Sequence, residues 1–312
     1  MSGLHHVTAI AGDPIRNFGF YTRDLGLRFV KRTVNFDDPA TYHFYYGDET
    51  GRPGTILTFF PWQGVPPGRR GVGETHQTAF RVPLRSLGYW TQRFLEKGIR
   101  YEALEKRFGE SVLPFTDPDG MALALVGVPG AEDEPAWSNG DVPAEHAIRG
   151  FHGVTLLLDD ARKTAAVLTD VFGFKETARE GSVIRYTAAG DVNGSVVDIY
   201  EAKGFLRGHQ GGGSVHHIAF RAADDAEQGS MAQRLVDNHG LHPTEQKDRN
   251  YFRSIYFREP GGVLFEIATD IPGFAVDEPV ATLGGALKLP SFLEPHRKEI
   301  EGVLPKLEGA VS

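Results

Sequence analysis

The sequence predicts an α+β protein made of one βαβββ unit written four times, arranged as two domains with a closing helix. Three observations carry this. Four strand-like openings resemble one another: GLHHVTAI from Gly3, THQTAFRV from Thr75, GFHGVTLLL from Gly150 and SVHHIAFRA from Ser214. Each is followed by a stretch with helical spacing of apolar residues that ends on glycine, the residue favoured just past a helix C-terminus. Each unit then closes in stretches rich in alternating, aromatic and β-branched residues, as strands are. Internal similarity of this kind sets the architecture before any single element is assigned.

In chain order, the first unit continues from its opening into PIRNFGFYTRDLG as helix, then ATYHFYYGD and GTILTFFP as strands. The second has LRSLGYWTQRFLEKG as helix, with RYEALEKRFG and MALALVGV as strands. The third has ARKTAAVLTDVFG, then SVIRYTAA and SVVDIYEA. The fourth has AQRLVDNHG, then SIYFREP and GVLFEIATD. Residues 128–149, VPGAEDEPAWSNGDVPAEHAIR, are rich in proline, glycine and acidic residues and break the rhythm. The expected organisation is an N-terminal domain over 1–127, a linker over 128–149, a C-terminal domain over 150–272 and a tail over 273–312. Within the tail, EPHRKEIEGVLPKLEG reads as one amphipathic helix.

Composition narrows the function classes. With 312 residues, 40% hydrophobic and 24% charged, the chain is globular and long enough for two domains. A formal net charge of -8 and the lack of a dense Lys/Arg run argue against a nucleic-acid partner. There is no cysteine, so disulfides, thiolate zinc sites and cysteine nucleophiles are excluded, and any metal must be held by His, Asp or Glu. The opening MSGLHHVTAI has no basic stretch followed by an apolar core, and no apolar run reaches membrane length. A cytoplasmic protein without a membrane partner is expected.

The doublets in LHHVT and SVHHIAF stand out within the repeat. Neighbouring side chains on a strand point to opposite faces, so only one histidine of each doublet can look into a given cavity. Each doublet is therefore a candidate for half of a metal site.

The four units, together with LHHVTAI, GLRFVKRTVNFDDP, YHFYYGDETGRPGT, RGFHGVT, VHHIAF, DRNYF and EPGGVLFE, resemble the vicinal oxygen chelate superfamily. That group includes glyoxalase I, fosfomycin-resistance proteins and extradiol ring-cleaving dioxygenases. Within it the chain is most similar to bacterial hydroquinone ring-cleaving dioxygenases, the chlorohydroquinone dioxygenases and MhqO-like proteins among them. The resemblance runs over nearly the whole chain. It implies two vicinal-oxygen-chelate domains, with metal ligands supplied by the first and last strands of two paired units.

The repeat lets that implication be tested position by position. Aligned openings place His6 with Gln77, Gly153 and His217, and closing strands aligned on glycine place Thr58 with Ala124, Asp198 and Glu266. Pairing the first and fourth units offers His6, His217 and Glu266, with Thr58 leaving a position open. Pairing the third and fourth offers His217, Glu266 and Asp198. Two histidines and one carboxylate form the facial triad of non-haem Fe(II) oxygenases, and the same three residues match the family's ligand motifs.

Other positions follow with different warrants. Thr8 should share a cavity with His6 by strand alternation. For His5 and His216 the resemblance implies roles beside the ligands, although His76 and His152 in the same places of the other units suggest an architectural use. Arg249 and Tyr256, in KDRNYFRSIYF, match pocket positions of the hydroquinone dioxygenases. An arginine can stabilise a phenolate or a developing negative charge, and a tyrosine can donate or relay a proton.

The function the resemblance implies is Fe(II)-dependent ring cleavage of a hydroquinone- or catechol-type aromatic by O2, with Mn(II) or Zn(II) as other occupants of the triad. A glyoxalase-like isomerase or lyase, and a non-catalytic quinone-binding resistance protein, are the alternatives. A homo-oligomer is compatible with each.

Overall fold

The computed structural model describes residues 3–138, 140–190 and 193–307. The first unit contains β1 (Leu4–Ala11), α1 (Pro14–Gly19) running into a π turn (Phe20–Asp24), β2 (Arg28–Asn35), β3 (Asp38–Gly47) and β4 (Ile56–Pro61). The second contains β5 (Glu74–Pro83), α2 (Leu87–Lys97), β6 (Glu105–Arg107), β7 (Glu110–Thr116) and β8 (Ala122–Val128). The third contains β9 (Gly150–Leu158), α3 (Arg162–Asp170), β10 (Lys175–Glu180), β11 (Val183–Thr187) and β12 (Val196–Glu201). The fourth contains β13 (Val215–Ala222), α4 (Asp225–His239), β14 (Lys247–Asp248), β15 (Phe252–Arg258) and β16 (Leu264–Pro272), and α5 (Arg297–Val303) lies in the tail.

Local chemistry explains where these elements start and stop. Asp13 caps α1 by accepting the Arg16 N–H at 2.7 Å, with Pro14 in the first turn, where its missing N–H costs nothing. Helices α2 and α4 stop at Gly98 and Gly240, whose φ of 67° and 61° is the left-handed conformation that satisfies the last carbonyls. Asp224 caps α4 through the Glu227 N–H, so that helix begins seven residues before the expected AQRLVDNHG. Its first two turns are too polar to show helical spacing.

Four strands were not among the expected ones, the two-residue β14 being the shortest. RFVKRTVN forms β2, ESVLPFT forms β7 despite Pro114, and KETARE forms β10. Strand β10 is an exposed, charged sheet edge, a composition that discourages edge-to-edge pairing and hides the strand from a hydrophobic pattern. Of RYEALEKRFG only Glu105–Arg107 joins the ladder, with Tyr101 adding a single bridge to Phe115. The tail helix is shorter than expected, seven residues ending at Val303 ahead of Pro305, with a 3-10 turn over Glu294–His296 before it. The described residues of 129–149 include no strand but are not a free tether: Ala131, Val142, Ala147 and Arg149 are buried.

The strands form two eight-stranded sheets. One has the order β14-β15-β16-β13-β1-β4-β3-β2, and the other β10-β11-β12-β9-β5-β8-β7-β6. The first and fourth units therefore share one sheet, joined along the antiparallel β1·β13 seam, while the second and third share the other along β5·β9. The pairing of third with fourth unit is not realised. The helices and the sheets enclose one large apolar core that includes Trp90, Phe94, Phe151 and Phe220. No described helix is long and apolar enough to cross a membrane.

Candidate metal centre

The β1·β13 seam brings the doublets together, and cross-strand register determines what surrounds them. Two rows of side chains cross the concave face of the sheet. One runs Tyr45, Thr58, Thr8, His217 across β3, β4, β1 and β13. The other runs Tyr256, Glu266, Ala219, His6 across β15, β16, β13 and β1. The rows are related by the pseudosymmetry of the two units: Tyr45 answers Tyr256, Thr58 answers Glu266, Thr8 answers Ala219 and His217 answers His6. Directly opposed residues present their side chains to the same face, so His6 and Glu266 flank the small Ala219.

Three donor atoms converge there. Nε2 of His6 lies 3.4 Å from Nε2 of His217 and 3.3 Å from Oε2 of Glu266, and His217 Nε2 lies 2.9 Å from the same oxygen. All three residues are buried, and among the described residues this is the one group of three or more His, Cys, Asp or Glu with convergent ligand atoms. Glu266 Oε2 takes no well-aligned hydrogen bond, although its partner Oε1 accepts one from Ser254 Oγ at 2.5 Å. An orphaned carboxylate oxygen facing two imidazole nitrogens fits a divalent cation held by nitrogen and oxygen donors.

The doublets' first members explain how the ligand rings are held. His5 Nδ1 is 2.9 Å from His6 Nδ1, and His216 Nδ1 is 2.8 Å from His217 Nδ1. If the Nε2 atoms are to carry lone pairs toward a cation, each ligand ring must donate its Nδ1–H to the neighbouring ring. That is the usual arrangement by which an outer residue fixes the tautomer and orientation of a metal-binding histidine. The doublet is thus a ligand and its holder, although strand alternation alone would send the two rings apart. Register shifts on both sides of the His6–Thr8 segment accompany this departure from a regular ladder.

Electrostatics agree with a ligand set. Burial raises the Glu266 carboxyl, but the imidazoles of His6 and His217 more than offset this and hold it well below the usual carboxylate range. Burial lowers His217, lowers His5 well below an ordinary imidazole and pushes His216 down to about 3. Neutral imidazoles are the form that binds metal.

The triad opens onto a cavity of about 320 Å³ walled by Phe36, Phe60, Trp62, Phe252 and Leu264. Both expected pocket residues, Arg249 and Tyr256, line it. Arg249 Nε donates to the Tyr256 hydroxyl at 3.3 Å and its Nη2 to Asp37 at 2.8 Å. Burial, with Glu266 next, pushes the Tyr256 hydroxyl up, so it stays a donor. Thr8 accepts a hydrogen bond from Thr58 at 2.8 Å. It reaches the same face as His6, as alternation requires.

Sequence reasoning did not single out His43, Tyr45 or Ser254. His43 Nε2 is 2.8 Å from Thr58 Oγ1, and Tyr45 OH is 2.8 Å from His43 Nδ1. Since Thr58 donates to Thr8, His43 must donate to Thr58 and accept from Tyr45. His43 stands two residues before Tyr45, as Ser254 stands two before Tyr256. Ser254 steadies the Glu266 carboxylate, and His43 ties up the hydroxyl that stands in Glu266's place. The alternation HFYY was the available signal, since His43 and Tyr45 share a face.

The other sheet shows what became of the same positions elsewhere. Its rows are Pro114, Ala124, Ala79, Gly153 and Arg185, Asp198, Thr155, Gln77. Arg185 occupies the register of Tyr256 and donates to both oxygens of Asp198 at 2.8 Å and to Glu110 at 2.5 Å. His152 also reaches Glu110, at 2.9 Å. A guanidinium supplies the positive charge here, and the remaining space is about 20 Å³. Asp198→Ala is therefore expected to leave metal content unchanged while costing about 1–3 kcal/mol, since Arg185 loses its two bonds to Asp198 but keeps Glu110. Metal analysis alongside urea denaturation checks both parts.

Comparison with known proteins shows the family. The model of the Glyoxalase/Bleomycin resistance protein/Dioxygenase superfamily matches residues 3–125 and 150–267. The chain is 48% identical over 304 residues to "Putative ring-cleaving dioxygenase MhqO" of Bacillus subtilis (strain 168), covering 97% of this chain and 96% of that protein. It is 32% identical over 308 residues to the chlorohydroquinone/hydroquinone 1,2-dioxygenase of Sphingobium indicum, covering 96% and 95%. A crystal structure from Bacillus subtilis subsp. subtilis str. 168, of a protein described as a "putative dioxygenase", superimposes with a TM-score of 0.93 at 46% identity, covering 98% of this chain and 97% of that one. Glyoxalase I from Zea mays shares the fold alone, with a TM-score of 0.65 at 14% identity over 86% and 93% of the two chains. With its four repeated units, its two eight-stranded sheets and a family match over both halves, the chain belongs to the Glyoxalase/Bleomycin resistance protein/Dioxygenase superfamily.

Proposed function

We propose that this chain is a ring-cleaving dioxygenase that takes a hydroquinone- or catechol-type aromatic and O2, with Fe(II) held by His6, His217 and Glu266. The observation that carries the reading is the triad with a non-ligand, Thr58, in the fourth place. Its hydroxyl accepts from His43 and donates to Thr8, so it is committed on both sides. A glyoxalase-like isomerase would want a further protein ligand there. The relatives named above are described as ring-cleaving and hydroquinone dioxygenases, which supports the same choice.

His6, His217 and Glu266 would hold the Fe(II), which would supply the redox chemistry between a phenol and O2. The protein's own residues do the rest. Phe36, Phe60, Trp62 and Phe252 form apolar walls that accept an aromatic ring and exclude water. Tyr256 accepts from Arg249, which leaves its own proton directed to a group in the cavity. Arg249, anchored by Asp37, brings a fixed positive charge to the side where negative charge develops. Deprotonation of the bound phenol is favoured by that charge, and Tyr256 is placed to return a proton later in the cycle.

Two results are expected. Arg249→Ala and Tyr256→Phe should retain full metal content yet slow turnover, Tyr256→Phe by about 10²- to 10⁴-fold if its hydroxyl moves a proton. Unchanged rates in both variants would return these residues to a structural role. The reading as a whole is tested by the product: mass spectrometry after reaction in ¹⁸O2 should show the substrate plus O2, with label incorporated and the ring opened. An isomer of the substrate, or no product, contradicts it.

A further inference from the structure

The tail after β16 runs back across the edge of the sheet. Arg28 donates to the Val280 carbonyl at 2.5 Å, Arg32 to Gly285 at 3.2 Å, and Tyr42 OH to Pro305 at 3.0 Å. Its most buried polar contact involves Lys31, a fully buried lysine on β2. The ammonium donates to Asp277 Oδ1 at 2.7 Å and to Glu278 Oε2 at 2.8 Å. A lysine is buried in this way only where carboxylates satisfy it.

Asp277 does more than pair with Lys31. Its second oxygen, Oδ2, accepts from Tyr251 OH at 3.0 Å and from Asn250 Nδ2 at 3.3 Å. These two residues directly follow Arg249. Asn250 has φ of 67°, a left-handed conformation that a non-glycine residue adopts at some cost and keeps only when its surroundings hold it. The same turn is fastened by Gly273 N–H donating to the Tyr251 carbonyl at 2.9 Å and by Tyr251 stacking on Phe274 at 5.0 Å. Phe292, farther along the tail, packs edge-on against Phe36, a cavity wall residue next to Asp37. The tail thus supports both places that hold Arg249: the turn that bears it and the hairpin that anchors it.

We propose that Asp277 is a positioning residue for the reaction, fixing the 249–251 turn through Asn250 and Tyr251 so that Arg249 stays aimed at Tyr256 and the cavity. This rests on the reading above, in which Arg249 serves the reacting site. Asp277 itself reaches neither the triad nor the cavity lining, so it acts through Arg249. Loss of its carboxylate leaves Lys31 paired with Glu278, which also accepts the Gly284 and Ala286 N–H groups. The fold should therefore survive the substitution.

The test pairs hydrogen exchange, which needs neither metal nor turnover, with a double-mutant cycle on the rate. In the metal-free protein, Asp277→Ala should speed hydrogen exchange at the Arg249 amide, which donates to the Phe252 carbonyl at 3.0 Å, while amides of β1 and β13 keep their protection. In the Fe(II)-loaded enzyme it should lower kcat/KM about tenfold, a coupling typical of residues that act together, and cost less than about twofold in an Arg249→Ala background. Asp277→Asn keeps an acceptor for Tyr251 and Asn250 and should restore most of the rate. Unchanged exchange at Arg249, or a full loss repeated in the Arg249→Ala background, overturns the proposal. Failure of the wild-type enzyme to open any ring would instead strike the reading it rests on, with the exchange result standing apart.

Discussion

Glu266→Ala is expected to bring bound metal down from one equivalent to background on elemental analysis, and turnover is expected to disappear with it. Glu266 is the sole carboxylate in the convergent group, and the two imidazoles left behind would offer only two of the three donors. The fold should persist. The substitution frees Ser254 Oγ, which costs about 1–3 kcal/mol if that hydroxyl finds no new partner. It also removes a fully buried carboxylate that in the metal-free protein leans on two imidazoles, so the net effect on stability is small beside the effect on the metal. His6→Ala and His217→Ala should behave likewise. A Glu266→Ala protein that still held stoichiometric metal would remove the site.

Ala219→Leu is the second large effect, and it touches no ligand. Ala219 sits between His6 and Glu266 in one cross-strand row and is fully buried. Its methyl is what lets the donor atoms on either side approach. A leucine would extend three further carbons over the ground where Nε2 and Oε2 meet, while His6, His217 and Glu266 all remain. Overpacking costs about 1–3 kcal/mol, which a folded domain of this size tolerates, but metal binding should fall to background. Ala219→Gly should keep the metal. Retention of normal metal content by the leucine variant would show that the row does not frame the site as described.

The site was more legible in the sequence than the fold that supports it. The repeat carries its own register: the openings align on the doublets and the closing strands align on glycine, so His6, His217 and Glu266 could be named before any strand was paired. The rows found in both sheets reproduce that alignment, with Gln77, Gly153, Ala124 and Asp198 in the corresponding places. Pairing of the first unit with the fourth was readable only through the ligands, since nothing local to β1 or β13 says which opening lies beside which. His43 was missed because the strands corresponding to β3 in the other units carry no glycine to align with it, and because one histidine among tyrosines and phenylalanines reads as core. The partnership of His5 with His6 was hidden by the alternation rule, which holds for a regular strand and fails where the ladder shifts register. Asp277 could not have been found at all from sequence: its partners lie on β2 and on the 249–251 turn, and only the folded path of the tail brings them together.

Oxygen uptake by the reconstituted protein tests the central claim most directly. Metal-free protein loaded anaerobically with Fe(II), and in parallel with Zn(II), is given a panel of hydroquinones and catechols and then exposed to O2. A two-histidine, one-carboxylate site with Thr58 in the fourth place should make the Fe(II) form consume O2 in proportion to substrate, one for one, with a ring-opened chromophore appearing at the same rate. The Zn(II) form should bind phenol and consume none, because zinc cannot pass electrons between substrate and oxygen. An Fe(II) form inert to every hydroquinone and catechol, alongside a Zn(II) form that converts a hemithioacetal or a thiol-quinone adduct, would contradict the dioxygenase account and put a glyoxalase-like reaction in its place.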